Sequence, residues 1–535
     1  MSIESTGAQA ITALTNFINE DKLLDLASRF SDTYRHLAKT SEEHFLVTPV
    51  TALPTGKEKG KFLSIDVGGT NLRVGFVELM GEIEKDAKDE RSQPVQKIRR
   101  SHEKNWPIEE HLKMDQAEDL FTWIGDCISN VIKDALSDTP VTESVESPFG
   151  QELLLGITFS FPMEQTRLSE AKLLPMGKGF AMSCDLNLGK MLLAGYARHL
   201  VEPRLNGQTV GGDENPSNKR RKLSRLPRLR IAAITNDTVA TFTSLAYAVK
   251  AAPNSRVAMG LIVGTGTNAT VPMKIQELHP SKKKYLADPE NVDMVVINTE
   301  WTIRGTDQPL VDLNIKTKWD LEISEKCETP HFQPFEYMTA GRYLGEIVRL
   351  VFVDLISNDP GAQLPPALGK KNAVPTKFLS EVLARADDGT LIRELEKNYA
   401  SSQSAFWTST KVELIRDIAH AVQQRSAALI AAACVGLLDC VHDISLDRKE
   451  KTGVIEIRDE LHQHGELELE ELVIAYAGGT ISQYPGWLET CQRWIDTLVA
   501  KGSPSNATKR VVLREALDGG IVGAGVLAGM TDNIA

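Results

Sequence analysis

Apolar residues recur along this chain in two rhythms. At three- and four-residue spacing they mark amphipathic helices over 8–37, through Leu14, Phe17, Ile18, Leu23, Leu24 and Leu26, and over 120–136, through Phe121, Ile124, Ile128, Val131 and Ile132. Further helices are expected over 239–249, from about 342 to 356, over 412–441 and at the C-terminus. Short apolar runs bounded by Gly, Pro or polar turn residues mark strands at 61–67, 72–77, 152–162, 229–234, 259–263, 269–273, 295–301 and 472–476. Between them, 48–60, 326–335, 358–374 and 385–390 read as connectors and loops. The charge-dense stretch 78–106 reads as a solvated face, with a substrate lip as the alternative. The apolar 412–441 stretch reads as core.

Two pairs of strands are joined alike. In KFLSIDVGGTNLRVGFV, residues 61–77, an apolar strand meets Gly68-Gly69 and leaves as a second apolar strand. Adjacent glycines let backbone N–H groups approach an anion without an intervening Cβ, and Thr70 and Asn71 add side-chain donors. Asp66, at the end of the first strand, is placed to hold a hydrated Mg²⁺ against phosphates. An ordinary hairpin is the plain alternative. The same logic returns where residues 259–263 run into Gly264-Thr265-Gly266-Thr267-Asn268 and then 269–273. Two such turns read as a pair of phosphate-binding hairpins from a duplicated domain.

Other polar residues sit at the ends of apolar elements. Asp237, in Thr235-Asn236-Asp237-Thr238, is either a helix cap or a catalytic carboxylate. Ser160 lies near a strand end. Lys178 stands between Gly177 and Gly179, where an exposed turn is the simplest account. Asn298 and Glu300 end one strand and Glu336 precedes a helix; both carboxylates could be solvated caps or could grip sugar hydroxyls. Gly478-Gly479-Thr480 follows another strand. Glycines at 519, 520, 523 and 525 open the last helix, suiting either an anion or close packing.

Composition narrows the classes. A chain of 535 residues has room for two or more domains. Its net charge of −12 and pI near 5.5 exclude nucleic acid as the main partner. Six cysteines without a C-x-x-C pair read as reduced packing thiols. Residues 1–13 lack signal-peptide character, and the longest apolar run, 427–438, is too short to span a bilayer. A soluble, cytoplasmic, monomeric protein is expected. Residues 203–230 read as a disordered surface insertion carrying Lys219-Arg220-Arg221-Lys222. A nuclear-import signal, or attachment to an organelle surface, is the alternative reading.

Taken in order, SIDVGGTNLRV, LGITFSFPMEQT with GKGF, ITNDTVATF, LIVGTGTNAT, INTEW and PFEYMTAGRYLGE resemble the eukaryotic hexokinase family of the actin-like ATPase superfamily, from about residue 45 to the C-terminus. The resemblance implies an α/β, two-domain, ribonuclease H-like fold with a sugar cleft between a small and a large domain, and ATP with Mg²⁺ as phosphoryl donor. It implies a large domain from 1–61 and 235–519, a small domain from 62–234 with an insertion at 203–228, and a C-terminal helix, 520–535, returning to the small domain. By position, Asp237 would be the base for the sugar 6-hydroxyl, with Lys178 as the second catalytic residue. Ser160, Gly177, Lys178, Asn236, Asn268, Glu300 and Glu336 would bind the sugar. Asp66, Gly68, Gly69, Thr70, Asn71, Arg73, Gly264, Thr265, Gly266, Thr267, Gly479, Thr480 and Gly520 would bind the nucleotide, Asp66 reaching Mg²⁺ through water. These types suit phosphoryl transfer, which needs positioning and charge neutralisation more than covalent help.

The departures bear on the substrate. The family's Trp-Thr-Lys-Gly is Met176-Gly177-Lys178-Gly179, and the Gly and aromatic after Glu300-Trp301 give way to Thr302-Ile303-Arg304. Gly478 replaces an Asp of the adenosine motif, and the terminal Ser-Gly-x-Gly is Gly520-Ile521-Val522-Gly523. Lost bulk beside Lys178 suits a sugar larger than glucose and resembles the divergent fungal branch that phosphorylates N-acetylglucosamine. A glucose/fructose hexokinase and a non-catalytic hexokinase-like regulator are the alternatives.

Overall fold

The computed structural model describes residues 3–81, 97–109, 111–112, 117–138, 149, 152–161, 163–173, 186–200, 226–249, 254–286, 289–358, 361, 363–403, 405–447 and 469–532. Met176, Gly177, Lys178, Gly179, Cys184 and the run Lys219-Arg220-Arg221-Lys222 lie outside them. The chain forms two compact units. The first comprises Met1–Val47, Val249–Lys284 and Asp288–Leu517; the second comprises Thr48–Ala248, Tyr285–Ala287 and Asp518–Ala535.

Strand β1 (Leu46–Val47) belongs to the first unit. The chain then builds the second unit's sheet from β2 (Lys59–Val67), β3 (Asn71–Met80), β4 (Ile98–Pro107) and β5 (Glu152–Phe159). After a small ribbon of β6 (Met163–Glu164) and β7 (Lys172–Leu173), β8 (Arg228–Thr235) completes it in the order β4-β3-β2-β5-β8. β2 is antiparallel to β3 and parallel to β5, and β5 is parallel to β8. The first unit repeats this plan with β9 (Ser255–Val263), β10 (Thr267–Lys274), β11 (Met294–Asn298), β12 (Glu470–Ala477) and β13 (Lys509–Glu515), in the order β1-β11-β10-β9-β12-β13. β9 is antiparallel to β10 and parallel to β12. Each sheet thus has a middle strand joined by a glycine turn to an antiparallel neighbour, with two parallel strands on its other side. The duplication read from the two turns is present in the topology.

Local chemistry explains where the expected elements hold and where they differ. The helical stretch 8–37 is two helices, Ile3–Thr15 and Glu20–Thr40, because Asn19 takes an extended conformation and its side chain accepts from Lys22 N at 3.1 Å. The charge-dense 78–106 contains a strand, β4, that the apolar rhythm does not reveal. It is an edge strand carrying Arg99, Arg100, Glu103 and Lys104, charges that discourage further pairing. Its register shifts against β3 between Val74 and Phe76, and His102 sits there at φ +52°, a bulge that re-aims the neighbouring side chains. Helix Ser409–Cys440 is long and apolar enough to cross a membrane, but 94% of its most apolar window is buried inside the protein, as a core helix should be.

At the edge of the first unit's sheet, β13 has its outward groups covered. The Gln492 side chain donates to Val511 O at 2.9 Å and accepts from Leu513 N at 2.7 Å.

The terminal helix Gly519–Asp532 lies against the second unit's sheet, in contact with β2, β3, β5 and β8. Thr158 Oγ1 and Ser64 Oγ donate to its first carbonyls, Gly520 O at 2.8 Å and Ile521 O at 2.5 Å. Backbones here approach too closely for side chains. A Cβ on Gly156 would stand 2.1 Å from Ala524 O, and one on Gly523 would stand 2.0 Å from Ala240 O. The glycines at 156 and 523 therefore serve packing. The second contact ties helix Asp237–Val249 to this unit. Tyr247 does the same, accepting from Gly81 N at 3.1 Å and donating to Glu58 O at 3.0 Å. The unit boundaries fall at 47/48, 248/249, 284/285, 287/288 and 517/518, where the family resemblance implies 61/62, 234/235 and 519/520.

Gly523→Ala should lower the unfolding free energy by about 1–3 kcal/mol through overpacking, read as a shift in urea midpoint at constant slope. Gly69→Ala is the control, since nothing lies within 4 Å of the Cβ it would add.

Candidate active site

In the second unit, β2 delivers Asp66 to the first glycine turn. The turn is closed by Gly68 N donating to Asn71 O at 2.9 Å, and Ile108 N donates to Thr70 O at 2.8 Å. Asn71 Nδ2 donates to Thr70 Oγ1 at 3.0 Å, and both residues are exposed. Open space beside Gly69 leaves its backbone accessible, as an anion-binding turn requires. Ser160 is held beside the turn, its amide donating to Val67 O at 3.0 Å.

Asp66 pairs in register with Arg73 across the β2–β3 hairpin. Burial pushes its carboxyl up to about 7; Arg73 opposes this, while the charges of Asp237, Asp518 and Glu103 add to it. Gly520 packs against the same carboxylate, so closely that a Cβ would stand 2.3 Å from Oδ2. The family's serine could not occupy that position with Asp66 as it lies. Asp66 thus brings Arg73, Asp237 and Gly520 into one neighbourhood.

Helix Asp237–Val249 is capped by Asn236, not by Asp237. Asn236 Oδ1 accepts from Val239 N at 2.9 Å and from Thr238 Oγ1 at 3.1 Å. Its amide nitrogen takes no part in the cap. Asp237, at the first helical position, accepts from the adjoining Thr238 N at 2.9 Å and stays partly exposed. The cap role is filled by a neighbour, so the Asp237 carboxylate is not the cap.

In the first unit, β10 and β11 bring Asn268, Asn298 and Glu300 together. Asn298 Nδ2 donates to Glu300 Oε1 at 2.7 Å, and Asn268 Nδ2 donates to Asn298 Oδ1 at 2.7 Å and to Glu300 Oε1 at 3.3 Å. Asn268 Oδ1 accepts from Ala269 N at 2.8 Å, which fixes the amide's orientation. Glu300 has φ +48°, a costly conformation for a non-glycine residue. Trp301 anchors it: fully buried, it stacks on Tyr34 at 6.4 Å and meets Phe335 edge-on at 6.0 Å. Glu336, also buried, accepts from Thr267 N at 3.2 Å, linking a second carboxylate to the β9–β10 hairpin.

The second glycine turn, Gly264 to Thr267, is gripped from two further elements. Gly341 N donates to Gly264 O at 2.8 Å, Thr480 Oγ1 to Gly264 O at 3.1 Å, and Arg342 N to Thr265 O at 3.2 Å. Gly479 and Thr480 are therefore beside the turn, as the motifs imply. Gly478 has φ +123°, and a Cβ there would stand 2.4 Å from Val263 O. The aspartate of the family's adenosine motif cannot be accommodated by this backbone.

Several residues escape the motif reading. Asn298 lies inside INTEW and at the strand end beside Glu300, but the motif assigns it no sugar contact. Gly341 and Arg342 stand inside PFEYMTAGRYLGE without marking themselves as turn partners. Arg100, Glu103 and Asp518 carry no local signal, because they reach Asp66 and Arg73 through β4 and the terminal helix. Of the two polar residues that follow Glu300-Trp301, Thr302 is buried and Thr302 Oγ1 accepts from Gln333 Nε2 at 3.4 Å. Arg304 is exposed and faces Glu43 at 3.6 Å.

Among the described residues no group of three or more His, Cys, Asp or Glu could hold a metal ion. A carboxylate whose neighbours are mostly acidic nevertheless favours a cation. This donor set would fit a hydrated Mg²⁺.

Twin sheets of this topology, each opening on a glycine turn, with a carboxylate at the first and two buried carboxylates near the second, define an actin-like ATPase fold of the kind that phosphorylates sugars. Hexokinase family profiles match residues 13–247 and 258–530. Putative glucokinase-2 of Saccharomyces cerevisiae is 29% identical over 500 residues, covering 90% of this chain and 86% of that protein. Glucokinase-1 of the same yeast is 27% identical over 542 residues, covering 96% and 94%. A hexokinase from Schistosoma mansoni, complexed with glucose, matches in fold with a TM-score of 0.71 at 23% identity, over 99% of this chain and 100% of that one. The chain belongs to the hexokinase family. It is a sugar kinase, a phosphotransferase that acts on an alcohol group of a hexose.

Gly478→Asp, which reinstates the family residue, should not improve nucleotide binding. Forcing a side chain onto that backbone should cost about 1–3 kcal/mol of stability and weaken Mg·ADP binding, read by denaturant titration and calorimetry.

Proposed function

We propose that this kinase transfers the γ-phosphoryl group of Mg·ATP to the 6-hydroxyl of a hexose and prefers N-acetylglucosamine. The observation that carries the reaction is the division of labour at Asn236 and Asp237. Asn236 satisfies the helix terminus, so the Asp237 carboxylate remains available to take the O6 proton as the O6–P bond forms and the bond from phosphorus to the β–γ bridging oxygen breaks. Asn236 offers its amide N–H to the sugar. Ser160, Asn268, Glu300, Glu336, Gly177 and Lys178 bind the hexose, and Lys178 also balances charge on the transferring group. Ionised Glu300 and Glu336 act as acceptors for hexose hydroxyls. Glu300 is preset for this by Asn298, Asn268 and the buried Trp301.

The two glycine turns receive the phosphates through Gly68, Gly69, Thr70, Asn71, Gly264, Thr265, Gly266 and Thr267. Gly479, Thr480 and Gly520 complete the nucleotide contacts. Mg²⁺ supplies charge neutralisation on the phosphates when bound; Asp66 orients it through water, and Arg73 faces the same phosphates.

The N-acetylglucosamine preference is supported by two departures. Met176-Gly177 removes an aromatic and a hydroxyl beside Lys178. Thr302, replacing a glycine, sets a hydroxyl–amide pair with Gln333 two residues from Glu300. Such a pair can exchange its mutual bond for an acetamido N–H and C=O. A glucose-preferring enzyme is the second reading, favoured by the yeast relatives' description as glucokinases.

Asp237→Asn should reduce kcat by about 10²–10⁴-fold while sugar affinity, read by tryptophan fluorescence, changes little. Near-normal kcat would assign the base elsewhere. A coupled ADP-release assay should give N-acetylglucosamine a kcat/KM about 10–200-fold above glucose, the range one pocket substituent commands. Parity, or glucose ahead, would return the enzyme to the ordinary hexokinases.

A further inference from the structure

Asp518 is the residue at which the chain passes from the first unit into the second, and it opens the terminal helix, its carbonyl accepting from Val522 N at 3.0 Å. Its backbone is left-handed, φ +53°, which aspartate tolerates better than most residues. Its two carboxylate oxygens go to different arginines: Oδ1 accepts from Arg73 Nη1 at 2.5 Å, and Oδ2 forms an ion pair with Arg100 Nη1 at 2.5 Å. Arg100 also donates to Glu103 Oε2 at 3.0 Å, an arrangement made by the bulge in β4. Arg73 is the residue directly across the hairpin from Asp66, yet its ion pair is with Asp518. Two carboxylates therefore compete for one guanidinium, and Asp518 wins.

We propose that Asp518 is a positioning residue for nucleotide binding: by holding Arg73, it keeps that guanidinium from closing onto Asp66, so that Asp66 stays open to the hydrated cation and Arg73 to the phosphates. The argument runs on geometry and charge. An opposite-charge cross-strand pair forms readily when nothing competes, and a carboxylate closed by an arginine fork has its acceptor sites filled. Arg100 draws the Asp518 carboxylate from its far side and fixes it for the task. The strained backbone is consistent with a residue held for its side chain rather than for local stability. This inference rests on the reading of Asp66 and Arg73 as nucleotide-site residues.

The test is calorimetric titration of the full chain with Mg·ADP, alongside Asp518→Asn, Asp518→Gly, Asp66→Asn and the double variant Asp518→Asn/Asp66→Asn. Asparagine and glycine both accept φ near +53°, so the fold should persist, with melting temperature and sugar affinity close to the parent's. Mg·ADP affinity should fall roughly tenfold in both Asp518 variants, the scale of one lost charged contact, and KM for Mg·ATP should rise with it more than kcat falls. In the Asp66→Asn background the Asp518 change should have little further effect, because the competition has been removed. Unchanged Mg·ADP affinity in Asp518→Asn, additive effects in the double variant, or equal losses of sugar and nucleotide affinity would each overturn the inference while leaving the kinase reading intact. A parent protein that binds no Mg·ADP would overturn both.

Discussion

The constraint that shapes the second unit is the enclosure of a carboxylate among like charges. Asp66 ends the middle strand of a sheet, Gly520 seals one side of it, and Asp237, Asp518 and Glu103 surround it with like charge. Such a site holds protons or cations in proportion to what its basic neighbours leave uncompensated. Arg73 supplies part of the balance from across the hairpin, and Arg100 shares in holding Asp518. The terminal helix can come this near only because glycine stands at 520 and again at 523, where it crosses helix Asp237–Val249. Charge placement and backbone approach are thus one requirement, met by residues from both ends of the chain.

The first unit reaches a similar end by different means. It uses the same strand order, but its carboxylates lie in a web of amides and are set by packing. Asn298 and Asn268 hold Glu300 from one side, and Trp301 locks the strained turn from the other. Glu336 reaches the hairpin backbone directly. The second unit therefore presents concentrated charge, whereas the first presents oriented acceptors. As general chemistry, concentrated charge suits phosphates with a cation, and oriented acceptors suit neutral hydroxyls.

How much of this could be read beforehand depended on sequence distance. The glycine turns and Asp237 after its strand are local patterns, and each sits on the expected element, whereas the strand expected over 295–301 ends at Asn298 and leaves Glu300 and Trp301 in a turn. Asn236 and Asp237 could not be assigned between cap and chemistry from sequence, because either residue type caps well; only the bond from Val239 N separates them. β4 was illegible because an edge strand bearing charges lacks the period that marks a half-buried one. Asp518 and Arg73 are far apart in the chain, and nothing local to either announces the other. The unit boundaries shifted for a related reason: helix Asp237–Val249 follows its glycine contact with the terminal helix, which no rhythm within the helix encodes.

The side chain of Gln492, lying along β13, has a consequence for assembly. By supplying an amide where a further strand would offer backbone, it occupies the carbonyl of Val511 and the N–H of Leu513, the groups through which another chain would add to the sheet. At the opposite border the sheet ends in a strand of two residues, Leu46–Val47, too short to template an addition. Continuous sheets across copies of this protein are thereby discouraged at both borders. Self-association through the first unit is thereby steered to helical and loop surfaces, whose contacts can be broken without unpicking a ladder of backbone hydrogen bonds.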